Sequence, residues 1–368
     1  MIDQRVDKLA ETLVNYSVRV QPGEWVLVRG HVVALPLLEE VVKHVLRAGG
    51  NPSVQLLTDR IDEIILREGN DEQLSWLAPT DNLVGEKVDV RIVVMGAENT
   101  RSLSGVDPRR QQLQQQANSK IREAFMRRTA EGTHRWVGTL FPCSAYAQEA
   151  DMSLPEYEDF VYGATFADQP DPVQCWQEIH ETQQKLIEWL AGKEQVVVRG
   201  PNIDLSLSIA GRTWMNSDGR RNMPSGEIFT GPVEDSVNGW VNFTYPAIRQ
   251  GREVEGVRLK FEAGKVVDAR AEKNEEYLIS QLDSDPGARY LGEFAIGTNY
   301  KIQRFTKSIL FDEKIGGTLH MAVGAGYPET GSKNRSSVHW DFICDMRQES
   351  EVWVDDELFY KNGEFQVS

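Results

Sequence analysis

A strand–helix–strand pattern near the N-terminus constrains the fold more than any other feature of this sequence. WVLVRG (25–30) and PSVQLL (52–57) are short, mostly apolar segments that predict strands. Between them, residues 36–48 have helical periodicity and end at Gly49-Gly50, a common helix C-cap. Two strands joined by one helix pair in parallel through a right-handed crossover. The N-terminal part is therefore predicted to be an open, mostly parallel sheet with helices.

Further segments extend this predicted sheet and its helices. The additional strands are at 88–96 and 136–142, and the additional helices are at 3–15 and 109–131. In the helix at 3–15 the apolar residues recur on one face, as expected for a helix that packs against a core. The N-terminal half is thus predicted to be a layered α/β structure.

The pattern changes at FADQPDPVQ (166–174), where two prolines and two aspartates predict a domain boundary. Beyond a further predicted helix, the sequence consists of short strands and tight glycine turns, with hairpins predicted at FEAGKVV and LFYKNGEF. We therefore predict two domains, an α/β domain at residues 1–168 and a strand-rich α+β domain at residues 169–368.

Composition limits the classes of function. The length of 368 residues suits two domains, and the formal net charge of −16 argues against nucleic acid or anionic lipid as a partner. No apolar run could span a membrane, and the acidic N-terminal segment is unlike a signal peptide. The three cysteines form no CxxC motif, which fits a reducing compartment. We expect a cytoplasmic protein that binds neither nucleic acid nor membrane and, without a glycine-rich phosphate motif, no nucleotide cofactor.

The stretch from Gly316 to Asp345 contains the strongest candidates for a functional site. His339 and Asp341 are two residues apart in a predicted strand, so their side chains project from the same face. His320 lies in a possible short strand just upstream, and the intervening turn could bring it alongside. Imidazole and carboxylate groups are ligands of divalent transition metals, zinc above all. Three ligands on one hairpin leave coordination positions open, as in a catalytic metal site.

Two glutamates add to this set of potential ligands. Glu227 lies among turn residues in MPSGEIFTGP, and Glu293 lies in the otherwise apolar segment LGEFAIGTN. A buried carboxylate is costly unless it has a strong partner. With His320, His339 and Asp341, the two glutamates form five oxygen and nitrogen donors without a thiolate. Such a set suits two divalent ions that share at least one carboxylate.

Each of these residues also has a purely structural interpretation. A single His-x-Asp pair is more often a surface pair or a hydrogen-bonded core histidine, and Glu227 alone could be a solvated turn residue. Trp340 is expected to pack behind the site, and Cys344 is expected to lie in the core. The other histidines are expected to be structural or exposed: His31, His44, His134 and His180.

Four motifs in the C-terminal half carry a family resemblance: MPSGEIFTGP, LGEFAIGTN, LHMAVGAGYP and VHWD. Together with the N-terminal LVNYSVRVQPGEWVLVRG, they resemble the dinuclear metallo-aminopeptidases of the aminopeptidase T type, a thermophilic family that includes AmpS and PepS. The resemblance covers nearly the whole chain. It implies a metal-dependent aminopeptidase that hydrolyses the N-terminal peptide bond of short peptides.

The resemblance also implies roles for individual residues. Carried over position by position, it indicates five metal ligands: Glu227, Glu293, His320, His339 and Asp341. The implied cofactors are two divalent metal ions, and zinc, cobalt and manganese all suit these ligands. Glu293 would also take a proton from the attacking water, and Tyr327 would donate a hydrogen bond to the developing oxyanion. The family further implies a homodimer whose active sites open into an enclosed space.

Two other functions are compatible with the sequence. Ring-cleaving dioxygenases of dihydroxypyridine breakdown are similar to this family and would use a mononuclear iron held by two histidines and an aspartate. Those enzymes lack counterparts of Glu227 and Glu293, so the presence of both glutamates favours the peptidase. A non-catalytic peptide-binding protein could also keep the fold, but the presence of all five ligands and Tyr327 counts against it.

Overall fold

Residues 3–249 and 251–367 are described by a computed structural model of the chain. The chain divides into two compact units, one formed by Met1–Gln174 with Gly219–Pro224 and the other by Cys175–Asp218 with Ser225–Ser368. The predicted domain boundary between residues 168 and 169 stays a prediction, because compactness alone does not establish independent folding. Within the described residues, no helix is both long and apolar enough to cross a membrane.

The first unit is built on a parallel sheet. Its strands are β1 (Trp25–His31), β2 (Asn51–Leu57), β3 (Val90–Met95), β4 (Arg135–Leu140) and β8 (Asn222–Met223). They lie in the order β2-β1-β3-β4-β8. The predicted strand–helix–strand unit is confirmed, because β1 pairs in parallel with β2 and helix α2 (Leu35–Arg47) connects them. Val26 and Val28 of β1 and Leu37 and Val41 of α2 are fully buried, and this apolar burial stabilises the layers.

Helices make up most of the rest of the first unit. They are α1 (Gln4–Glu11), α3 (Asp59–Glu68), α4 (Asp71–Leu74), α5 (Pro79–Lys87), α6 (Pro108–Ala117), α7 (Ser119–Ala130), α8 (Ser144–Glu149) and α9 (Leu154–Ala164), with a π-helical turn at Thr12–Ser17 and a 3-10 turn at Val32–Ala34. The single helix predicted at 109–131 is wrong, since α6 and α7 are separated at Asn118. The Asn118 side chain donates to the Gln114 carbonyl oxygen at 2.9 Å, and such side-chain bonds compete with helix continuation.

The second unit contains two antiparallel sheets. The strands of the larger sheet are β5 (Gln195–Gly200), β6 (Ile203–Ser208), β10 (Asn238–Asn242), β13 (Arg258–Glu262), β14 (Lys265–Arg270), β18 (Glu351–Val354), β19 (Glu357–Lys361) and β20 (Glu364–Phe365). The strands of the smaller sheet are β7 (Met215–Ser217), β9 (Glu227–Thr230), β15 (Leu291–Gly297), β16 (Thr318–Gly324) and β17 (His339–Asp345). Their orders are β14-β13-β10-β6-β5-β18-β19-β20 and β17-β16-β15-β9-β7. The remaining elements are the paired strands β11 (Ala247–Arg249) and β12 (Arg252–Val254), the helices α10 (Pro172–Leu190), α11 (Glu275–Leu282) and α12 (Ile309–Asp312), and a 3-10 turn at Pro328–Thr330.

Both predicted hairpins are confirmed. Strands β13 and β14 are joined at Ala263-Gly264, and β19 and β20 are joined at Asn362-Gly363. All four turn residues have positive φ angles, between 47° and 84°, as a two-residue type I′ turn requires. The predicted fold class, an N-terminal parallel sheet with helices followed by a strand-rich α+β part, is confirmed as well.

The smaller sheet has one apolar face and one face that carries polar groups. Strands β15 and β16 are buried at all seven positions. On β16, Leu319, Met321 and Val323 join the apolar core of the second unit. The alternate residues, among them His320, therefore project from the opposite face. The same alternation on β17 places Trp340 in the core, as predicted. We refer to the opposite face of β9, β15, β16 and β17 as the polar face.

Candidate metal centre

All five predicted ligands project from the polar face, on four neighbouring strands. The strands carry them as follows: Glu227 on β9, Glu293 on β15, His320 on β16, and His339 and Asp341 on β17. Strand β9 pairs with β15, β15 with β16, and β16 with β17, all antiparallel. Ala322 lies opposite Glu293 on one neighbouring strand and Asp341 on the other. Its small side chain leaves space between these two carboxylates.

The five side chains form a continuous series of close contacts. Glu227 Oε2 lies 3.2 Å from His320 Nε2, which lies 3.7 Å from Glu293 Oε1. The other carboxylate oxygen of Glu293 lies 3.3 Å from His339 Nε2, which is 3.6 Å from Asp341 Oδ1. Glu293 therefore stands between the two histidines and directs one oxygen at each. A carboxylate in this position can be shared by two cations.

Three overlapping groups of donor atoms could each hold a cation. Within each group the donor atoms all lie within 4.8 Å of one another. The groups are Glu227, Glu293 and His320; Glu293, His339 and Asp341; and Glu313, His320 and Asp341. The first two groups share Glu293, and the third adds Glu313, which the sequence analysis did not identify.

Glu313 comes from the turn after helix α12 rather than from a strand of the sheet. It is half-buried, in the segment FDEKIGG that leads into β16. Three adjacent charged residues shortly before a glycine pair usually indicate an exposed turn, and no periodicity marks any of them as inward-facing. The available signal was a run of three charged residues flanked by apolar Phe311 and Ile315, shortly before His320.

The neighbouring Lys314 was also not predicted. Its side chain has no exposed surface, its Nζ lies 3.7 Å from Glu227 Oε1, and it contacts the Glu313 carboxylate. Burial lowers the pKa of a lysine, but the two carboxylates outweigh this effect, so the pKa of Lys314 is raised. The site therefore includes a fixed positive charge.

The acidic and basic groups of the site perturb one another strongly. Burial raises the pKa of Glu227 to about 7 and also raises the pKa of Glu293. Burial opposes charge on His320, but its hydrogen bond to Glu293 and the charge of Glu227 raise the pKa of His320 to about 9. Glu227 Oε2 is buried without a hydrogen bond. A buried carboxylate oxygen of this kind needs a hydrogen-bond donor or a cation, and the donor set around it fits divalent metal ions.

One ring nitrogen of His339 is fixed by the backbone. Nδ1 donates a hydrogen bond to the Ala325 carbonyl oxygen at 2.7 Å, which assigns the tautomer and leaves a lone pair on Nε2. That Nε2 faces Glu293 and Asp341. Histidines that bind metals commonly have their second nitrogen held by a carbonyl or carboxylate, so His339 is oriented as a ligand.

Tyr327 lies beside this cluster, in the loop that follows β16. Its ring meets the His339 ring edge-on, with centroids 5.3 Å apart, and lies 5.4 Å from the Phe229 ring. The residue is 41% exposed, so a ligand can reach it from solvent. Partial burial and nearby carboxylates, Glu293 first among them, raise the pKa of the Tyr327 phenol. Its hydroxyl is therefore a neutral hydrogen-bond donor.

Two carboxylates hold the loop that carries Tyr327. Glu234 accepts a hydrogen bond from the Lys333 backbone N–H at 2.6 Å. Asp285 accepts a hydrogen bond from the Ser337 backbone N–H at 2.8 Å. Both anchors precede the loop in the chain and bind its second half, and a 3-10 turn at Pro328–Thr330 lies in its first half. These contacts fix the path between β16 and β17.

The remaining histidines lie outside these donor groups. Three of them pair with a carboxylate: His31 with Asp59 at 3.7 Å, His44 with Asp7 at 2.8 Å and His180 with Asp218 at 2.9 Å. Among the residues that the structure describes, none of the four belongs to a group of three potential metal donors: His31, His44, His134 and His180.

Comparisons with known proteins identify the family. Residues 2–365 match the thermophilic metalloprotease family (M29). Aminopeptidase 2 of Geobacillus stearothermophilus is 28% identical, and the alignment covers 93% of this chain and 92% of that protein. Aminopeptidase T of Thermus thermophilus is 27% identical over 98% of this chain and 96% of its own. Aminopeptidase AmpS of Bacillus subtilis is 27% identical, and the alignment covers 88% of this chain and 85% of that protein.

Two solved structures share the fold. Wild-type AmpT from Thermus thermophilus has a TM-score of 0.86 at 23% identity, and the alignment covers 100% of both chains. A 2,5-dihydroxypyridine dioxygenase from Pseudomonas putida has a TM-score of 0.57 at 15% identity. The alignment covers 99% of this chain and 98% of that chain. At these identities the likeness shows the fold alone. The family match spans nearly the whole chain and confirms the resemblance inferred from its motifs. This chain belongs to the thermophilic metalloprotease family (M29) and is a hydrolase of peptide bonds.

Proposed function

We propose that this protein is an aminopeptidase that removes N-terminal residues from short peptides with the aid of two divalent metal ions. The observation that carries the proposal is the position of Glu293, whose carboxylate oxygens face His320 on one side and His339 on the other. The names of the similar curated proteins, aminopeptidase 2 and aminopeptidase T, support the reaction.

Each proposed ion has its own donors. Glu227 and His320 would hold one ion, His339 and Asp341 would hold the other, and Glu293 would be shared by both. The donors are imidazole nitrogens and carboxylate oxygens without a thiolate, a combination that zinc, cobalt and manganese all accept.

Glu313 is proposed as an additional ligand. Its carboxylate lies with His320 and Asp341 in one donor group. It raises the number of carboxylates in the site to four, whose charge equals that of two divalent ions before the Lys314 ammonium is counted. An oxygen-rich donor set of this kind favours hard or borderline divalent cations.

The residues of this chain would move the proton and stabilise the developing charge. Divalent ions in this donor set would supply polarisation of the scissile carbonyl and a nucleophilic water at neutral pH. Glu293, buried beside both proposed ion positions, is proposed to take a proton from the attacking water through an oxygen that is not bound to an ion, and to pass it to the leaving amine. Tyr327, with a neutral phenol, is suited to donate a hydrogen bond to the oxyanion as it forms.

Tyr327→Phe tests the role of the hydroxyl. The substitution removes one oxygen and keeps the ring next to His339 and Phe229. We expect kcat for leucine-p-nitroanilide to fall about 10²-fold, with KM and bound metal almost unchanged. Tyr300→Phe is the matched control, because Tyr300 is 47% exposed and its hydroxyl donates to the Gly363 carbonyl oxygen. If the Tyr327→Phe protein keeps the wild-type kcat, the hydroxyl has no role in the proposed mechanism.

Metal-free protein should become less stable as the pH rises from about 5 to about 9. Folding raises the pKa of Glu227 to about 7 and that of His320 to about 9. A group with a raised pKa stabilises the fold fully below its unfolded pKa, and this stabilisation is lost as the pH rises through the folded value. Asp285, whose pKa is lowered to about 2, titrates below this window.

Differential scanning calorimetry in chelator measures this dependence. The midpoint temperature should decrease across the window, and added zinc should restore it at high pH, because the cation replaces the protons that the site has lost. Glu227→Gln should flatten the decrease, since it removes one of the titrating groups. A midpoint that rises with pH in the metal-free protein would contradict the assigned protonation states.

We also infer a cytoplasmic homodimer. The resemblance to the aminopeptidase T type supports a dimer whose enclosed space limits substrates to short peptides. Among the described residues the three cysteines form no disulfide, which fits a reducing compartment. Light scattering after size-exclusion chromatography should give twice the chain mass, and a monomer mass at micromolar concentration would contradict the dimer.

A further inference from the structure

A buried lysine lies beside the proposed metal ligands. The Lys314 side chain has no exposed surface, its Nζ lies 3.7 Å from Glu227 Oε1, and it contacts the Glu313 carboxylate. Its backbone is fixed as well, because its N–H donates to the Phe311 carbonyl at 2.9 Å and its carbonyl accepts from the Asn299 N–H at 3.2 Å. Lysine is almost never fully buried unless it is paired. The ammonium is therefore part of the site rather than a mobile surface charge.

The ammonium lies on one side of the donor set. Two positions can be distinguished: a lysine-side position, formed by Glu227, His320 and the shared Glu293, and a distal position, formed by His339, Asp341 and the same Glu293. Glu313 forms a further donor group with His320 and Asp341. Within the described residues Lys314 has one ion pair with Glu227, a carboxylate of the lysine-side position, and one with Glu313, and it has none with Glu293, His339 or Asp341. The two positions therefore differ in their electrostatic surroundings although their donor types are alike.

This fixed charge changes how the site attracts ions. Four carboxylates and one ammonium, with neutral histidines, carry a net charge of −3, which becomes −1 after one divalent ion binds. Without the ammonium, the corresponding charges would be −4 and −2. An ion in the lysine-side position is also repelled directly by the ammonium, with an energy that grows as their separation decreases. The carboxylates of Glu227 and Glu313 must in addition divide their negative charge between the ammonium and the ion.

We propose that Lys314 makes the two metal positions unequal, so that the distal position fills first and tightly, and the lysine-side position fills second and exchanges readily. The inference rests on the proposed two-ion site and adds the order in which its positions load. A consequence is that turnover follows the occupancy of the lysine-side position. The concentration of free divalent ions would then regulate the activity of the enzyme.

Calorimetric titration of metal-free protein with Zn²⁺ tests the inference. The wild type should bind two ions in two steps whose Kd values differ by at least about tenfold. Lys314→Met keeps the length of the side chain without its charge, and it should tighten the second step about tenfold or more and change the first step less. Lys273→Met is the matched control, since Lys273 also pairs with two glutamates, Glu253 and Glu255, but at the surface.

Two ligand variants identify which position fills first, and they leave Lys314 in place. His339→Ala should lose the tight step, whereas His320→Ala should lose the weak one, and the visible absorption of one equivalent of Co²⁺ reports the same difference. These variants and the wild-type titration decide the question even if Lys314→Met does not fold.

Three results would overturn the inference: two equal steps in the wild type, loss of the tight step in His320→Ala, or an unchanged second step in folded Lys314→Met. A different result would overturn the proposed function itself. That result is a protein that binds no divalent ion and has no turnover of unblocked aminoacyl substrates. Two equal ions with normal turnover would therefore refute the loading order alone.

Discussion

Replacing Glu293 by glutamine should lower kcat for an unblocked aminoacyl-p-nitroanilide by about 10³-fold or more. Glutamine keeps the size of the side chain but loses the charge and the ability to take a proton. Glu293 is buried between His320 and His339, with one oxygen directed at each. A single substitution therefore affects both proposed ion positions and the proton acceptor at once.

The comparison needs rates, metal content and fold from the same preparations. Initial rates over a range of substrate concentrations give kcat and KM, elemental analysis gives the bound metal, and circular dichroism verifies the fold. Glu351→Gln is a matched control. The Glu351 carboxylate lies 2.8 Å from Lys361 Nζ and belongs to none of the donor groups. If Glu293→Gln keeps both its metal and a wild-type kcat, the proposed mechanism is wrong.

Removal of divalent ions with a chelator should reduce turnover by about 10³-fold or more, because the nucleophile at neutral pH depends on the metal. Returning ions to the stripped protein should restore the rate. If Glu293 is shared between two ions, most of the recovery should accompany the second equivalent of metal per chain rather than the first. The measurement is the rate as a function of added equivalents, at a protein concentration well above both Kd values.

A control variant separates this site from other histidines. His180 pairs with Asp218 outside the donor groups, so His180→Ala should recover with the same two-equivalent dependence as the wild type. Full recovery after one equivalent would contradict the two-ion site. Turnover that persists in protein shown to contain no metal would contradict metal dependence altogether.

The local part of the site could be predicted from strand alternation. His339 and Asp341 lie two residues apart on β17 and share the polar face, while Trp340 and Cys344, at odd separations from His339 and Asp341, lie in the core. The alternation of side chains along an extended strand is a property of the backbone itself. It therefore does not depend on the tertiary structure around the strand. It also placed His320 correctly, because the partner strand follows closely in the sequence.

The long-range part could not be predicted from periodicity. Glu227 and Glu293 meet His320 through the registers of β9 with β15 and of β15 with β16. A register shift of one residue would turn either carboxylate to the apolar face, and no local pattern determines that register. The two glutamates were identified by their local sequence context and by motifs that resemble a family, not because their spacing requires a metal.

Turn residues were the hardest to assign. Glu313 and Lys314 follow helix α12 in a segment that would ordinarily face solvent, yet Lys314 is fully buried and Glu313 half-buried. Their burial results from tertiary packing around the site, which helix or strand periodicity does not encode. The predicted helix at 109–131 failed for a different, local reason, since the Asn118 side chain donates to the Gln114 carbonyl oxygen where one helix ends and the next begins.

The most direct test of the central claim compares an unblocked aminoacyl-p-nitroanilide with its N-acetylated form. Chelated protein would be reloaded separately with zinc, cobalt, manganese or ferrous iron. Metal-dependent release from the free-amine substrate, with none from the acetylated one, is the result predicted for an aminopeptidase. Equal release from both substrates would contradict it. A lack of release with every metal would also contradict it. If the iron-loaded protein then consumed oxygen in the presence of a dihydroxylated ring compound, its function would be that of a dioxygenase.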